Sequence, residues 1–117
     1  MSLIVKICGL STRETLDVAL DAGADMVGFV FFPPSPRHLG LETARDLGKL
    51  VKARAAKVAL TVDADDATLA DIVEMLQPDI LQLHGKESVA RLRAIKQAFD
   101  PNGIMNPGKV LNAGVRA

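Results

Sequence analysis

The residues of this sequence able to do chemistry lie just after short apolar runs. They are Lys6, Cys8 and Gly9; the stretch 32–37, ending in Arg37; Asp63; and Gln82, His84 and Gly85. Together they offer a thiol, a guanidinium, an imidazole, an amide and a carboxylate. Each also has a bland reading. A single cysteine is usually a small apolar filler. Arg37 beside prolines can be a solvated loop charge, and His84 before Gly85 a strand-end histidine bonded to backbone. No metal site is expected, because Cys8, His38 and His84 lie far apart without ligand spacing. The segment Cys8-Gly9-Leu10-Ser11 is neither a phosphate-binding loop nor a dinucleotide fingerprint.

The elements that must position these groups alternate strand and helix. Residues 3–8 are apolar and rich in β-branched side chains, as for a strand buried on both faces. Ser11 through Glu14 reads as a capping box with Ser11 as N-cap; Leu16, Ala19 and Leu20 follow at helical spacing, and Gly23 marks the end. Residues 26–32 form a second strand, stopped by Pro33-Pro34-Ser35-Pro36. A helix from Leu41 carries Ala44, Leu47, Leu50 and Val51 on one face. Residues 58–62 precede a helix capped by Asp65 or Asp66 and faced by Leu69, Ile72, Val73 and Leu76. Residues 80–83 precede a helix from about 87 through 99, with Val89, Leu92 and Ile95 expected inward.

Four β-α units with near-continuously apolar strands predict an α/β fold with a parallel sheet and right-handed crossovers. An open doubly wound sheet and part of a closed barrel both fit that pattern. In either, functional groups gather at the carboxyl ends of the strands, where the residues above lie. Residues 1–99 read as one (β/α)4 unit and residues 100–117 as a short, irregular, turn-rich tail.

Composition narrows the function classes. Fourteen basic and fourteen acidic residues give a formal net charge of zero. No charged block points to nucleic acid or a membrane surface. Four Phe without Tyr or Trp make no base-stacking platform. One cysteine excludes an internal disulfide framework, and no signal peptide or membrane-length apolar run is visible. The expectation is a cytoplasmic protein.

Four motifs, in order and spacing, resemble the phosphoribosylanthranilate isomerase family: Lys6-Ile7-Cys8-Gly9, the stretch from Ala22 to Phe31, Ser35-Pro36-Arg37, and Leu81-Gln82-Leu83-His84-Gly85. The resemblance covers about residues 3–97. It implies half of a (β/α)8 barrel of the TIM type and an Amadori rearrangement of N-(5-phosphoribosyl)anthranilate in tryptophan biosynthesis, with no cofactor. By resemblance Cys8 is the general base, a task that suits a thiolate because cysteine titrates near enough to neutrality. Arg37 then holds the anthranilate carboxylate as a planar bidentate donor, and Gln82 and His84 line the same mouth. The family's general acid is an aspartate ending the sixth strand, and its phosphate loops follow strands seven and eight. This sequence stops after the fourth unit, so an incomplete protein, inactive alone, is expected. Asp63 stands where many relatives carry Asn.

Residues 100–111 resemble the C-terminal end of FAD-linked oxidases; with nothing like a flavin-binding body ahead of them, FAD is not carried over. A half barrel leaves the first and fourth strands as open edges, with Val5, Phe29 and Val58 or Ala59 partly uncovered. Edges of that kind invite homo-oligomerisation. Three functions therefore stand open: an isomerase acting on its small-molecule substrate, a non-catalytic half-barrel or oligomerising assembly module, and a fragment complemented by a separate chain.

Overall fold

The computed structural model describes residues 3–99; the domain boundary at 99/100 and the tail at 100–117 lie at and beyond that limit. Eight elements alternate: β1 (Lys6–Ile7), α1 (Arg13–Asp21), β2 (Met26–Phe31), α2 (Leu41–Val51), β3 (Ala56–Thr61), α3 (Asp66–Leu76), β4 (Ile80–Leu83) and α4 (Val89–Phe99). All strand pairs are parallel and the order is β1-β2-β3-β4. Among the described strands the order never reverses. A doubly wound sheet has such a reversal, where its helices change face; the sequential order seen here is the one that parallel barrels use.

Periodicity explains the core. Val27, Phe29 and Phe31 of β2, Ala59 of β3, and Leu81 and Leu83 of β4 are buried in one cluster with Leu16, Leu20, Leu47, Leu69, Ile72, Leu92 and Ile95 of the helices. Side chains alternate along a strand, so Gly28, Val30, Val58, Leu60, Ile80 and Gln82, which pair across the sheet, share the opposite face. This corrects the placing of Phe29 and Ala59: both face the helices and are fully buried. Val58, on the other face, is also buried. Val5 is exposed as expected.

The first strand departs furthest from expectation. Only Lys6–Ile7 forms a ladder, although the Asp25 and Met26 N–H groups both donate to Val5 O, at 2.9 and 3.1 Å. Leu3, Ile4 and Ile7 are exposed rather than buried on both faces. An edge strand has a neighbour on one side only, so apolar content cannot bury it unaided.

Two caps and one helix face also differ. Thr12, not Ser11, caps α1: its Oγ1 accepts from Thr15 N–H at 3.2 Å. The helix begins one residue later than a cap at Ser11 would set it, which leaves Glu14 no capping-box partner. Asp65, the first of the two candidates, caps α3 by accepting from Thr68 N–H at 2.8 Å. Hydrogen bonds from the Thr68 hydroxyl and N–H hold the Asp65 carboxyl below its ordinary value. Val89, expected inward, is 61 % exposed because it opens α4, one turn before Leu92 reaches the core. The starts of α2 at Leu41 and of β4 at Ile80, and the end of β4 at Leu83, fall where the sequence puts them.

Candidate functional site

Cys8 follows β1, and its exposed thiol lies over β2. The approach is close because residue 28 is glycine: a Cβ there would sit 2.9 Å from Cys8 Sγ and 3.3 Å from Cys8 Cα. Gly28 O also accepts from Gly9 N–H at 3.1 Å and Leu10 N–H at 3.2 Å, fixing the backbone after the thiol. A glycine inside an apolar strand is a recognised sign of close backbone approach, and it was the available signal for this contact.

The loop after β2 folds back on its own strand. Ser35 N–H donates to Phe32 O at 2.8 Å, Ser35 Oγ accepts from Arg37 N–H at 3.1 Å, and Leu39 N–H donates to Val30 O at 3.0 Å. The prolines help by restricting φ through the turn. Arg37 is thereby carried to the tip of β1. Gly9 has a φ of +78° and a Cβ there would lie 2.3 Å from Arg37 Cδ, so the arginine stem rests against the backbone directly after Cys8. Only glycine combines that left-handed conformation with that contact at little strain.

His84 follows β4, with its N–H donating to Thr61 O at 2.8 Å. Cys8, Arg37 and His84 all line one cleft of about 380 Å³, whose wall includes Ser35, Leu60 and Val62. Gln82 is not in that wall. It lies two residues earlier on the same face, about 7 Å down the strand, and its Oε1 accepts from Lys6 Nζ. The lysine ammonium thus bonds an amide across the sheet. Ser35 belongs to the stretch 32–37 that the sequence singles out, whereas Leu60, Val62 and the Lys6–Gln82 bond had no individual signal there.

Two of the other depressions among the described residues flank the sheet. One, about 550 Å³ and widely open, is lined by Asp63, Asp65, Asp66 and Arg91. Its charges are internally engaged: the Arg91 guanidinium bonds the Asp66 carboxylate and Ala64 O. The other, about 460 Å³ and almost wholly apolar, runs between β1 and α1 along Ile7, Leu10, Val18 and Ala22. Among the described residues no three His, Cys, Asp or Glu side chains cluster as metal ligands, and no helix is long and apolar enough to cross a membrane.

The family model described as N-(5'phosphoribosyl)anthranilate (PRA) isomerase matches residues 5–114. An N-(5'-phosphoribosyl)anthranilate isomerase of Bradyrhizobium diazoefficiens is 79 % identical over 99 residues, which are 85 % of this chain and 44 % of that protein. One of Nitrobacter hamburgensis is 75 % identical over the same shares. The chain therefore spans a little under half the length of these curated relatives. A solved phosphoribosylanthranilate isomerase in complex with reduced 1-(o-carboxyphenylamino)-1-deoxyribulose 5-phosphate superposes with a TM-score of 0.78 at 32 % identity, over 83 % of this chain and 50 % of the other. The Thermotoga maritima isomerase gives 0.78 at 32 % identity, over 82 % and 47 %.

Proposed function

The chain belongs to the N-(5'-phosphoribosyl)anthranilate isomerase family, and from that premise we propose that its strand tips supply the proton acceptor and the carboxylate clamp of an Amadori rearrangement. The observation that carries this reading is the seating of Arg37 on Gly9. It sets a guanidinium and the Cys8 thiol, which come from different β-α units, beside each other in one cleft with His84. In the reaction, protonation of the ribose ring oxygen opens the ring as the anthranilate nitrogen donates its electron pair to form an iminium. Cys8, as thiolate, removes the proton from the adjacent sugar carbon. The C–H electron pair becomes the double bond of an enolamine, which tautomerises to the 1-deoxyribulose ketone. Arg37 pairs with the anthranilate carboxylate through two parallel N–H···O bonds, His84 lines the same mouth, and Gln82 lies deeper on that strand face, bonded to Lys6.

Proton donation at the ring oxygen needs an acid, and no Asp or Glu lines the cleft among the described residues. General acid catalysis is worth about 10²–10⁴ in rate. The 117-residue chain by itself is therefore proposed to bind but not to turn over at a useful rate. It behaves as the (β/α)4 half of a barrel, completed by a chain carrying the remaining units, in the cytoplasm.

Calorimetric titration with reduced 1-(o-carboxyphenylamino)-1-deoxyribulose 5-phosphate tests the reading. Arg37→Ala is expected to weaken binding about 10- to 100-fold, as for a lost charge-assisted pair, while Cys8→Ala leaves binding within a few-fold and abolishes turnover in the completed assembly. Equal affinity for Arg37→Ala and the parent chain refutes the clamp; turnover surviving Cys8→Ala refutes the base.

A second reading, an assembly module without catalysis, is favoured by the open edge. Leu3, Ile4 and Val18 are more than 60 % exposed, and Val18 lines the apolar groove of β1 and α1. Exposed apolar edges pair with other chains, and a second copy of this chain is the proposed occupant.

A further inference from the structure

We infer that Asp63, Gly85 and Glu87 form a latch between the loops after β3 and β4 that aims His84 into the cleft. The inference rests on the proposed function only in taking His84 as a residue that faces the ligand.

The His84 imidazole has no hydrogen-bond partner among the described residues, and its side chain is exposed. Its direction is therefore set by the backbone that carries it. That backbone is held at three consecutive amides. The His84 N–H donates to Thr61 O at 2.8 Å, the last rung between β3 and β4. The Gly85 N–H donates to Glu87 Oε1 at 2.9 Å, and the Lys86 N–H to Asp63 Oδ1 at 2.7 Å. The second carboxylate oxygen of Glu87 crosses back to the other loop, accepting from Asp63 N–H at 3.1 Å. One carboxylate from each loop thus binds backbone of the other.

Two conformational features belong to the same contact. Asp63 has a φ of +51°, the left-handed region that Asp tolerates better than most residues. That turn brings its N–H and carboxylate to face the β4–α4 loop together. Gly85 lies so near that a Cβ on it would meet Asp63 Oδ1 at 2.4 Å and Asp63 N at 2.7 Å. The loops touch backbone to side chain with no room for a methyl group. Strain at Asp63 and an obligatory glycine at 85 are both accounted for if the loops must stay joined.

The chemistry of the acceptors makes the idea discriminating. Asp63 uses Oδ1 on Lys86, so Asp63→Asn retains the acceptor and Asp63→Ala removes it. Glu87 uses both oxygens as acceptors, so Glu87→Gln retains one contact of two and Glu87→Ala neither. Backbone ¹⁵N relaxation on the 117-residue chain reads the result directly. Rigid order parameters, about 0.85, are expected at His84, Gly85 and Lys86 in the parent chain and in Asp63→Asn. Values below about 0.6 are expected in Asp63→Ala and Glu87→Ala, with Glu87→Gln between. Titration with the reduced product analogue should show about tenfold weaker binding for the two alanine variants, because a mobile loop must be ordered on binding.

Rigid order parameters in both alanine variants, or mobility in Asp63→Asn equal to that in Asp63→Ala, would overturn the latch. Should an alanine variant fail to fold, the contrast between parent, Asp63→Asn and Glu87→Gln still decides. A parent chain that does not bind the analogue counts against the proposed function, while the relaxation data continue to judge the latch.

Discussion

Replacing Gly28 by alanine tests whether the space beneath the thiol sets the position of β1. The new Cβ would stand 2.9 Å from Cys8 Sγ and 3.3 Å from Cys8 Cα and Cβ, against a comfortable separation of about 3.5–4.0 Å. The exposed sulfur can swing away at small cost. The Cα cannot, unless β1 moves off β2 by a few tenths of an ångström. That movement would stretch the bonds from Gly9 and Leu10 to Gly28 O, already 3.1 and 3.2 Å, at a strand with a two-residue ladder. Inserting a methyl into a packed site costs about 1–3 kcal/mol, and removing a glycine from the unfolded chain returns about 0.4–1 kcal/mol. Taking the middle of each range, a net loss of about 1.3 kcal/mol remains. With a urea m-value of about 2 kcal/mol/M the midpoint falls by about 0.6 M. Alkylation of Cys8 should change rate in the same variant, since its thiol is displaced. The double variant Cys8→Ala with Gly28→Ala relieves the sulfur contact and leaves the one to Cα, so the two changes should couple by about 0.5 kcal/mol or more. A Gly28→Ala chain as stable as the parent, with unaltered thiol reactivity, would refute the reasoning.

Further outcomes follow from the caps and the edge. Thr12→Ala should cost about 1 kcal/mol by urea unfolding, whereas Ser11→Ala stays within about 0.5 kcal/mol of the parent; the reverse order would restore Ser11 as the cap. The Asp65 carboxyl is held below its ordinary value of 3.8 by the Thr68 bonds, so its contribution is present above the unfolded carboxyl range and lost as pH falls through the lowered folded value. Urea midpoints measured from pH 6 downward should therefore decline more in the parent than in Asp65→Asn, which keeps a capping oxygen that does not titrate; equal declines would remove the linkage. Size-exclusion chromatography with light scattering should return a dimer or larger species at micromolar concentration, and Leu3→Lys with Val18→Lys should shift it toward monomer. A monomeric parent chain would defeat the assembly reading.

What the sequence made legible was what depends on local rules. Apolar runs, turn formers and helical spacing located all eight elements. The strand-tip rule put Cys8, Arg37 and His84 at one end of the sheet, where the structure joins them in a cleft. The errors come from neighbours that a one-dimensional pattern does not name. Phe29 and Val30 are equally apolar, and only pairing decides which faces the helices. Leu3 and Ile4 read as buried, yet burial needs a second flank that an edge strand lacks. Thr12 and Ser11 are both good caps, and a shift of one residue at the helix start chooses between them. Gln82 is legible as a candidate, but the lysine 76 positions away that donates to its amide oxygen is not. The Asp63–Glu87 exchange depends on a left-handed aspartate that no spacing rule anticipates.

The Lys6–Gln82 bond has a mechanical consequence. It joins the first described strand to the last, passing over the two between them. In a flat sheet those outer strands would stand about 14 Å apart, with their side chains projecting side by side and never meeting. The bond therefore spans, like a bowstring, a sheet already bent by its strand twist toward the hollow that holds the thiol and guanidinium. Cutting the string with Lys6→Met removes one tie across the mouth, loosening the spacing between Cys8 and His84 without touching either.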